Sequence, residues 1–368
     1  MELVVRKSDL LKELSLLQGI VERKNTIPIL ANVLLEASKG SVSLLATDLD
    51  VGLRSRCEAQ VAKPGTLTLP AKKLFEIVSA LPDTDIRIEE DKGGKSVTVA
   101  ADRFESRMQT LPASEFPTPP QDAGDVEATL PGQAMKRMIS HTRFAITSED
   151  TRYFLNGAQL VLRPDSMSMV ATDGHRLAFI SVKQSPGAGV KSDVLLPRKT
   201  LNEVARLIDG DAAIEFSQGE NHLFFRVNDR LLISRKIDAN FPAYERVIPK
   251  TNDKDIEFDR DRLAAAVRRV RLLSNERSKA VKFVIGKDQV EITSSTPEVG
   301  EAHEVMPVEY SGGSMQICFN ADYVDNFLGV VETDGVKLEF KDEMSQAVMK
   351  PIAADGYEYT YVIMPMRI

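Results

Sequence analysis

The feature that most constrains this chain is an internal repeat. Residues 170–176 read Val-Ala-Thr-Asp-Gly-His-Arg, and residues 45–49 read Leu-Ala-Thr-Asp-Leu. Each is an apolar run ending in Ala-Thr-Asp, the pattern of a strand entering a turn, because Asp and Gly favour turn geometry and cap backbone amides. The two aspartates, Asp48 and Asp173, stand 125 residues apart. The register persists: Leu69-Pro70-Ala71-Lys72-Lys73 is answered by Leu196-Pro197-Arg198-Lys199, and Glu115-Phe116-Pro117 by Asn240-Phe241-Pro242. A unit of this size fits about three times into 368 residues, and a fixed period governs any fold assignment. The period divides the chain into 1–125, 126–250 and 251–368, with polar connectors at 118–125 and 250–255.

Each unit reads helix, strands, helix, strands. Ser8 is a plausible N-cap for a first helix carrying Leu10, Leu14, Leu17 and Val21 at helical spacing. Pro131 suits a first helical turn ahead of Met135, Met138 and Ile139. In the third unit Asp259 or Asp261 can cap a helix with Leu263, Val267 and Val270 inside and Arg262 and Arg269 on another face. Hairpin signals come next at 33–36 with 42–45, 158–162 with 168–171, and 281–285 with 289–293. Second helices are expected at 71–81, 198–208 and 321–331, ahead of further strand pairs. Short turns and only two helices per unit point to an α+β fold, helices packed on antiparallel sheets. If units join sheet edge to sheet edge, the terminal units keep open edges, which a symmetric partner would close.

Composition limits the function. Cys57 and Cys318 are the only cysteines, so a disulfide framework is not expected and a reducing cytoplasm is the default. The N-terminus lacks the form of a secretory signal, and no run approaches the ~20 apolar residues of a membrane span. The formal net charge is −7, which alone argues against a nucleic-acid binder, but the signs are segregated. Residues 259–279 hold seven basic side chains against three acids, and 286–309 hold six acids against Lys287. One surface can be positive on a chain that is negative overall.

No catalytic or metal constellation stands out. His141, His175, His222 and His303 lack metal-ligand spacing, and neither a phosphate-binding loop nor a nucleophile elbow is present. Asp173 and His175 could form an acid/base pair, but the first copy of the turn has Leu49-Asp50 in place of Gly174-His175, so the histidine is not part of the repeated design. A structural turn or a pocket wall is the alternative. Lys72-Lys73 and Arg198-Lys199 sit at helix starts, where cations oppose the macrodipole but complete a phosphate site. Lys24, Arg152, Arg269 and Arg277 join them if the helices share a face. The C-terminal run, Tyr361-Val362-Ile363-Met364-Pro365-Met366-Arg367-Ile368, is a core strand or the lining of an adaptable apolar groove. Three functions stay open on this reading: a partner-closed ring with phosphate-contacting cations, a protein-binding repeat scaffold, and a carboxylate-dependent nuclease using Asp48 and Asp173.

Taken together the chain resembles the bacterial DNA polymerase III β subunit family, the replication sliding clamps. The resemblance rests on Thr26-Ile27-Pro28-Ile29-Leu30, Ala46-Thr47-Asp48-Leu49, Arg152-Tyr153-Phe154-Leu155-Asn156-Gly157, 171–178, Leu272-Leu273-Ser274-Asn275-Glu276 and Met364-Pro365-Met366-Arg367, which run in order from one end to the other. It implies three similar domains, a head-to-tail homodimeric ring with helices lining the hole, no enzymatic activity and no cofactor or metal. The partners implied are encircled duplex DNA, the replicative polymerase, a clamp loader, and other replication and repair proteins bearing clamp-binding peptides.

The family's DNA-facing positions match Lys24, Lys72, Lys73, Arg152, Tyr153, Arg198, Lys199 and Arg277. Its partner-peptide pocket, which takes apolar and aromatic anchors, matches Leu155, Thr172, Gly174, His175, Arg176 and Leu177 on one side. Pro242, Arg246, Val247, Val362, Met364, Pro365, Met366 and Arg367 match the other side, and the edge near Val348 is apolar here. The subunit interface matches Phe104, Arg107 and Met108 from the first domain, Leu272 and Leu273 from the third, and an acidic edge of Glu298, Glu301 and Glu304.

Overall fold

The computed structural model describes residues 1–21, 27–120, 125–147 and 149–367. Six α-helices are present among them: α1 (Lys7–Leu17), α2 (Ala71–Ala80), α3 (Gly132–Thr142), α4 (Arg198–Leu207), α5 (Arg260–Val270) and α6 (Ala321–Leu328). Four sheets accompany them, and every recorded strand pair is antiparallel. The architecture is α+β, as the pattern of turns and helices requires.

The chain divides into two compact units: residues 1–133 with 199–236, and residues 134–198 with 237–368. The first holds a five-stranded sheet and an eight-stranded sheet; the second holds an eight-stranded and a four-stranded sheet. Each eight-stranded sheet takes four strands from each of two sequence repeats. In the first unit the seam is Val51–Glu58 against Arg230–Arg235, with four residue pairs from Leu231↔Arg54 to Ser234↔Val51. In the second unit the seam is Arg176–Val182 against Tyr357–Ile363, with seven pairs. The edge of one repeat is thus sealed by the next, so its backbone amides find partners that one repeat alone could not supply.

Local chemistry explains most boundaries. Asp259 accepts from the Arg262 amide and Asn320 from the Asp322 amide, so α5 and α6 have true caps. Ser8 does not cap α1. The strand Glu2–Arg6 runs directly into the helix, and Ser8 already lies inside it. The second helices end sooner than their apolar period suggests, at Ala80, Leu207 and Leu328. Leu81 is already extended, and Gly329 comes directly after α6. The cores are the expected helix faces, Leu10, Leu14 and Leu17 on α1 and Leu263, Val267 and Val270 on α5, against inward strand residues such as Leu44, Val99, Phe283 and Ile292.

Candidate partner groove and nucleic-acid surface

The repeated Ala-Thr-Asp forms the same turn twice. Thr47 Oγ1 accepts the Leu49 amide at 3.0 Å and Thr172 Oγ1 the Gly174 amide at 3.1 Å. Asp48 Oδ1 accepts the amides of Asp50 and Val51, and Asp173 Oδ1 those of His175 and Arg176. Both aspartates are therefore occupied as turn caps. The third position of the turn is left-handed in both copies, φ +82° at Leu49 and +86° at Gly174. His175 is exposed, and its carbonyl accepts the Met364 amide at 3.0 Å.

In the second unit this turn borders an apolar cluster. Leu177, Val348 and Val362 are each about 1% exposed and pack with Val170 against Phe179, Phe241, Tyr244 and Ile248. Tyr244 stacks on Phe179 with ring centroids 5.6 Å apart, and burial raises its phenol pKa above the ordinary range. Pro242, Arg246, Val247 and Met364 are exposed above this floor, and Leu155 is buried. Pro365 and Met366 are half-buried, the Met366 amide donating to the Cys318 carbonyl, and Arg367 is exposed. Met364 and Val247 are the large apolar side chains exposed in the segments that adjoin this cluster. The residues sequence reasoning missed, Phe179, Tyr244 and Ile248, lie just beyond or across from the repeated Phe-Pro pair, which was the available signal.

Arg176 has a different task from the one expected of a pocket wall. Its guanidinium contacts Asp173 Oδ2 at 3.1 Å, Asn326 Oδ1 at 2.8 Å and the Phe144 carbonyl at 2.5 Å. It also lies 4.2 Å from the Tyr323 ring centroid. It is nearly buried and its donors are spent inside the fold, so it holds the turn in place.

The candidate phosphate contacts differ in how their charge is used. Arg198 and Arg277 are exposed and make no ion pair among the described residues. Lys72 and Lys73 are exposed and share Glu76, at 3.8 and 2.8 Å. Arg152 donates to the Asp173 carbonyl at 2.8 Å and to Glu149, beside an exposed Tyr153. Lys199 is tucked inward, bonded to Asp48 Oδ2 and to the Ile20 carbonyl, and so braces the first unit. Lys24 lies outside the described residues. The basic run at 259–279 is largely neutralised locally. Arg268 and Arg271 meet Asp325, Arg271 and Lys279 meet Asp322, and Arg269 grips Glu304 with bonds of 2.8 and 2.6 Å.

Two edge strands carry residues expected at a subunit interface. Phe104–Gln109 ends the five-stranded sheet, with Phe104 exposed, Arg107 paired to Asp91 and Met108 buried. Gly300–Pro307 ends the four-stranded sheet. Leu272 is 77% exposed, Val299 and Val305 are also exposed, and Leu273 is half-buried. Glu298 and Glu301 are exposed, whereas Glu304 is held by Arg269, which lowers its carboxyl pKa.

No cluster of His, Cys, Asp and Glu able to hold a metal occurs among the described residues. Burial pushes the Cys57 thiol up to about 12, far from a reactive thiolate. No helix among them is long and apolar enough to cross a membrane.

Comparison with known proteins covers the whole chain. Three family models match: DNA polymerase III beta subunit, N-terminal domain over residues 1–120, central domain over 129–243, and C-terminal domain over 245–367. The beta sliding clamp of Pseudomonas aeruginosa is 37% identical over 373 residues and that of Escherichia coli K12 36% over 371, each with both chains fully covered. The crystal structure of a DnaN sliding clamp from P. aeruginosa bound to griselimycin superposes with a TM-score of 0.93 at 36% identity, covering all of both chains. The sliding clamp of Caulobacter crescentus gives 0.91 at 35%, again with full coverage. A likeness that covers the whole chain in sequence and in structure leaves one conclusion: this chain belongs to the DNA polymerase III beta subunit family, the non-enzymatic beta sliding clamps of DNA replication.

Proposed function

We propose that two copies of this chain close head to tail into a ring around duplex DNA, slide along it, and tether the replicative polymerase through the groove beside the second turn. The observation that carries the reading is the full-length likeness to sliding clamps. Two further features support it. The edges Phe104–Gln109 and Gly300–Pro307 each leave a row of backbone groups and exposed apolar side chains without a partner strand among the described residues, which a second copy would cover. The three clamp domains are then 1–125, 126–250 and 251–368, and the protein works in the cytoplasm with a clamp loader and other peptide-bearing replication and repair factors.

A ring holds DNA by topology, so weak phosphate contacts suffice and strong ones would stop sliding. Arg198, Arg277, Lys72 and Lys73 fit that role because they are exposed and lightly paired. Arg152 and Tyr153 are further candidate contacts, as is Lys24 on the family resemblance alone. A partner's apolar and aromatic anchors sit on the cluster of Leu177, Val348 and Val362, with the flexible Met364 thioether re-packing around them. The polymerase then rebinds at about millimolar effective concentration without new contacts.

The test is retention on DNA. Labelled protein is loaded on nicked circular duplex by a compatible loader and washed, and the DNA is then linearised. Release on cutting is the expected result; retention after cutting would mean contact binding and would overturn the ring.

A further inference from the structure

The two seams are built on the same plan but finished differently. Counting from the turn, Thr47 pairs with Gly52 and Thr172 with Leu177. Gly52 then faces Ile233 across the first seam, and Leu177 faces Val362 across the second. Phe116 packs on Leu45 as Phe241 packs against the cluster of Val170. The first seam therefore repeats the strand register of the second at these positions, although Phe116 packs with Ile29 and Leu45 while Ile233 packs with Phe224 and Leu231.

Beyond the Phe-Pro pair the two copies diverge. After Pro242 the chain turns at once in the 3₁₀ segment Tyr244–Arg246, leaving Arg246 and Val247 exposed. After Pro117 it runs on without a turn as Thr118-Pro119-Pro120, an extended stretch that three prolines favour. A Cβ built on Gly52 would lie 3.0 Å from Pro119 Cγ, so the proline ring lies where the first groove lacks the side chain that Leu177 supplies in the second. A cavity of about 160 Å³ remains beside the prolines, lined among others by Asp50, His222 and Ile233. At its rim Leu49 is 48% exposed and held at φ +82°, a conformation costly for a bulky residue.

We propose that residues 117–120 act as an internal ligand, occupying at the first seam the place a partner peptide takes at the second, so that the chain carries a second apolar-peptide site held shut by its own linker. The proposal rests on the reading of the second-seam groove as the partner site. Its occupant, once the linker leaves, is a short peptide with apolar and aromatic anchors, because Leu49 and Ile233 line the cavity beside the prolines.

The experiment counts peptides per chain by calorimetry, with a fluorescein-labelled pentapeptide carrying one Leu and one Phe. Full-length protein is compared with the double variant Pro119→Gly, Pro120→Gly, which frees the backbone of the linker. One peptide on the parent and two on the variant is the expected result. An equal count on both overturns the proposal, as does a parent that already binds two. No peptide on the parent and one on the variant would sink the second-seam reading while leaving the internal ligand standing. Should the double variant fail to fold, the single variant Pro119→Ala serves in its place. It removes the ring that lies 3.0 Å from the Cβ position of Gly52 and keeps Pro120, so a second bound peptide is expected and an unchanged count refutes the proposal.

Discussion

Replacing Gly174 with alanine isolates the geometry of the repeated turn. At φ +86° an L-residue costs about 1–2 kcal/mol, and the stiffer unfolded chain returns roughly 0.4–1 of that. The new Cβ would sit 2.7 Å from Arg152 Nη1, closer than such atoms tolerate, so the guanidinium must swing off the Asp173 carbonyl it now meets at 2.8 Å. A hydrogen bond from a charged donor is worth about 1.5–3 kcal/mol, and partial exposure of Arg152 lets water replace roughly half. The sum is a loss of about 1–3 kcal/mol. Leu49→Gly is the internal control. Relief of strain at φ +82° is offset by lost chain entropy and by the half-buried leucine, so it is expected within about 0.5 kcal/mol of neutral. The chain has no Trp, so unfolding in urea is monitored by far-ultraviolet circular dichroism, with hydrogen exchange across 170–180 reporting the local change. A Gly174→Ala protein as stable as its parent would refute the claim that this turn requires glycine.

Other perturbations test other joints. Glu13 and Arg230, both nearly buried, share bonds of 2.9 and 2.6 Å, so Glu13→Gln or Arg230→Met alone is expected to cost about 3–5 kcal/mol in urea unfolding and the pair together less than the sum. Lys72→Ala with Lys73→Ala should reduce the log–log salt slope of DNA binding by up to ~1.8, whereas Lys199→Ala should leave the slope unchanged and lower the unfolding midpoint. His141 is buried, its Nδ1 donating to the Arg137 carbonyl and its Nε2 without a partner, and burial lowers its pKa below 6.5. The unfolded chain then binds the proton more readily, so stability should fall as pH drops below about 6.5, by at most ~1.4 kcal/mol per unit, and His141→Phe should flatten that slope.

Much of this was legible in the residues. The Ala-Thr-Asp turns, the Asp259 cap and the hairpins are local, and local chemistry fixed them. The short strands Glu2–Arg6, Ala128–Leu130 and Lys254–Asp259 were not legible, because three to six residues ahead of a helix carry too little period to distinguish them from a connector. Charge was misleading for a related reason. The basic run at 259–279 looked like an exposed surface, but Asp322, Asp325 and Glu304, remote in sequence, return to neutralise it. Likewise nothing near Lys199 announces that Asp48, in another repeat, will claim its ammonium group. Pairing between repeats is a property of the folded sheet, and periodicity within one repeat cannot name the partner strand.

The unequal seams have a mechanical consequence. Four residue pairs join the repeats in the first unit and seven in the second. The shorter ladder is reinforced by ionic latches: Glu13 to Arg230, Lys199 to Asp48, Lys12 to Asp209, and Arg206 to the Ser15 carbonyl. The longer ladder relies on backbone bonds, the Tyr359 hydroxyl on the His141 carbonyl, and the exposed Arg137–Glu332 pair. Elastic stiffness at the two places therefore has different origins. As ionic strength rises, the exposed Lys12–Asp209 pair is screened, as is Arg137–Glu332 at the second seam, while the nearly buried Glu13–Arg230 pair and the ladder hydrogen bonds are not. Compliance across the seams should concentrate at the shorter ladder, Val51–Arg54, where bending yields first and salt loosens it only slightly.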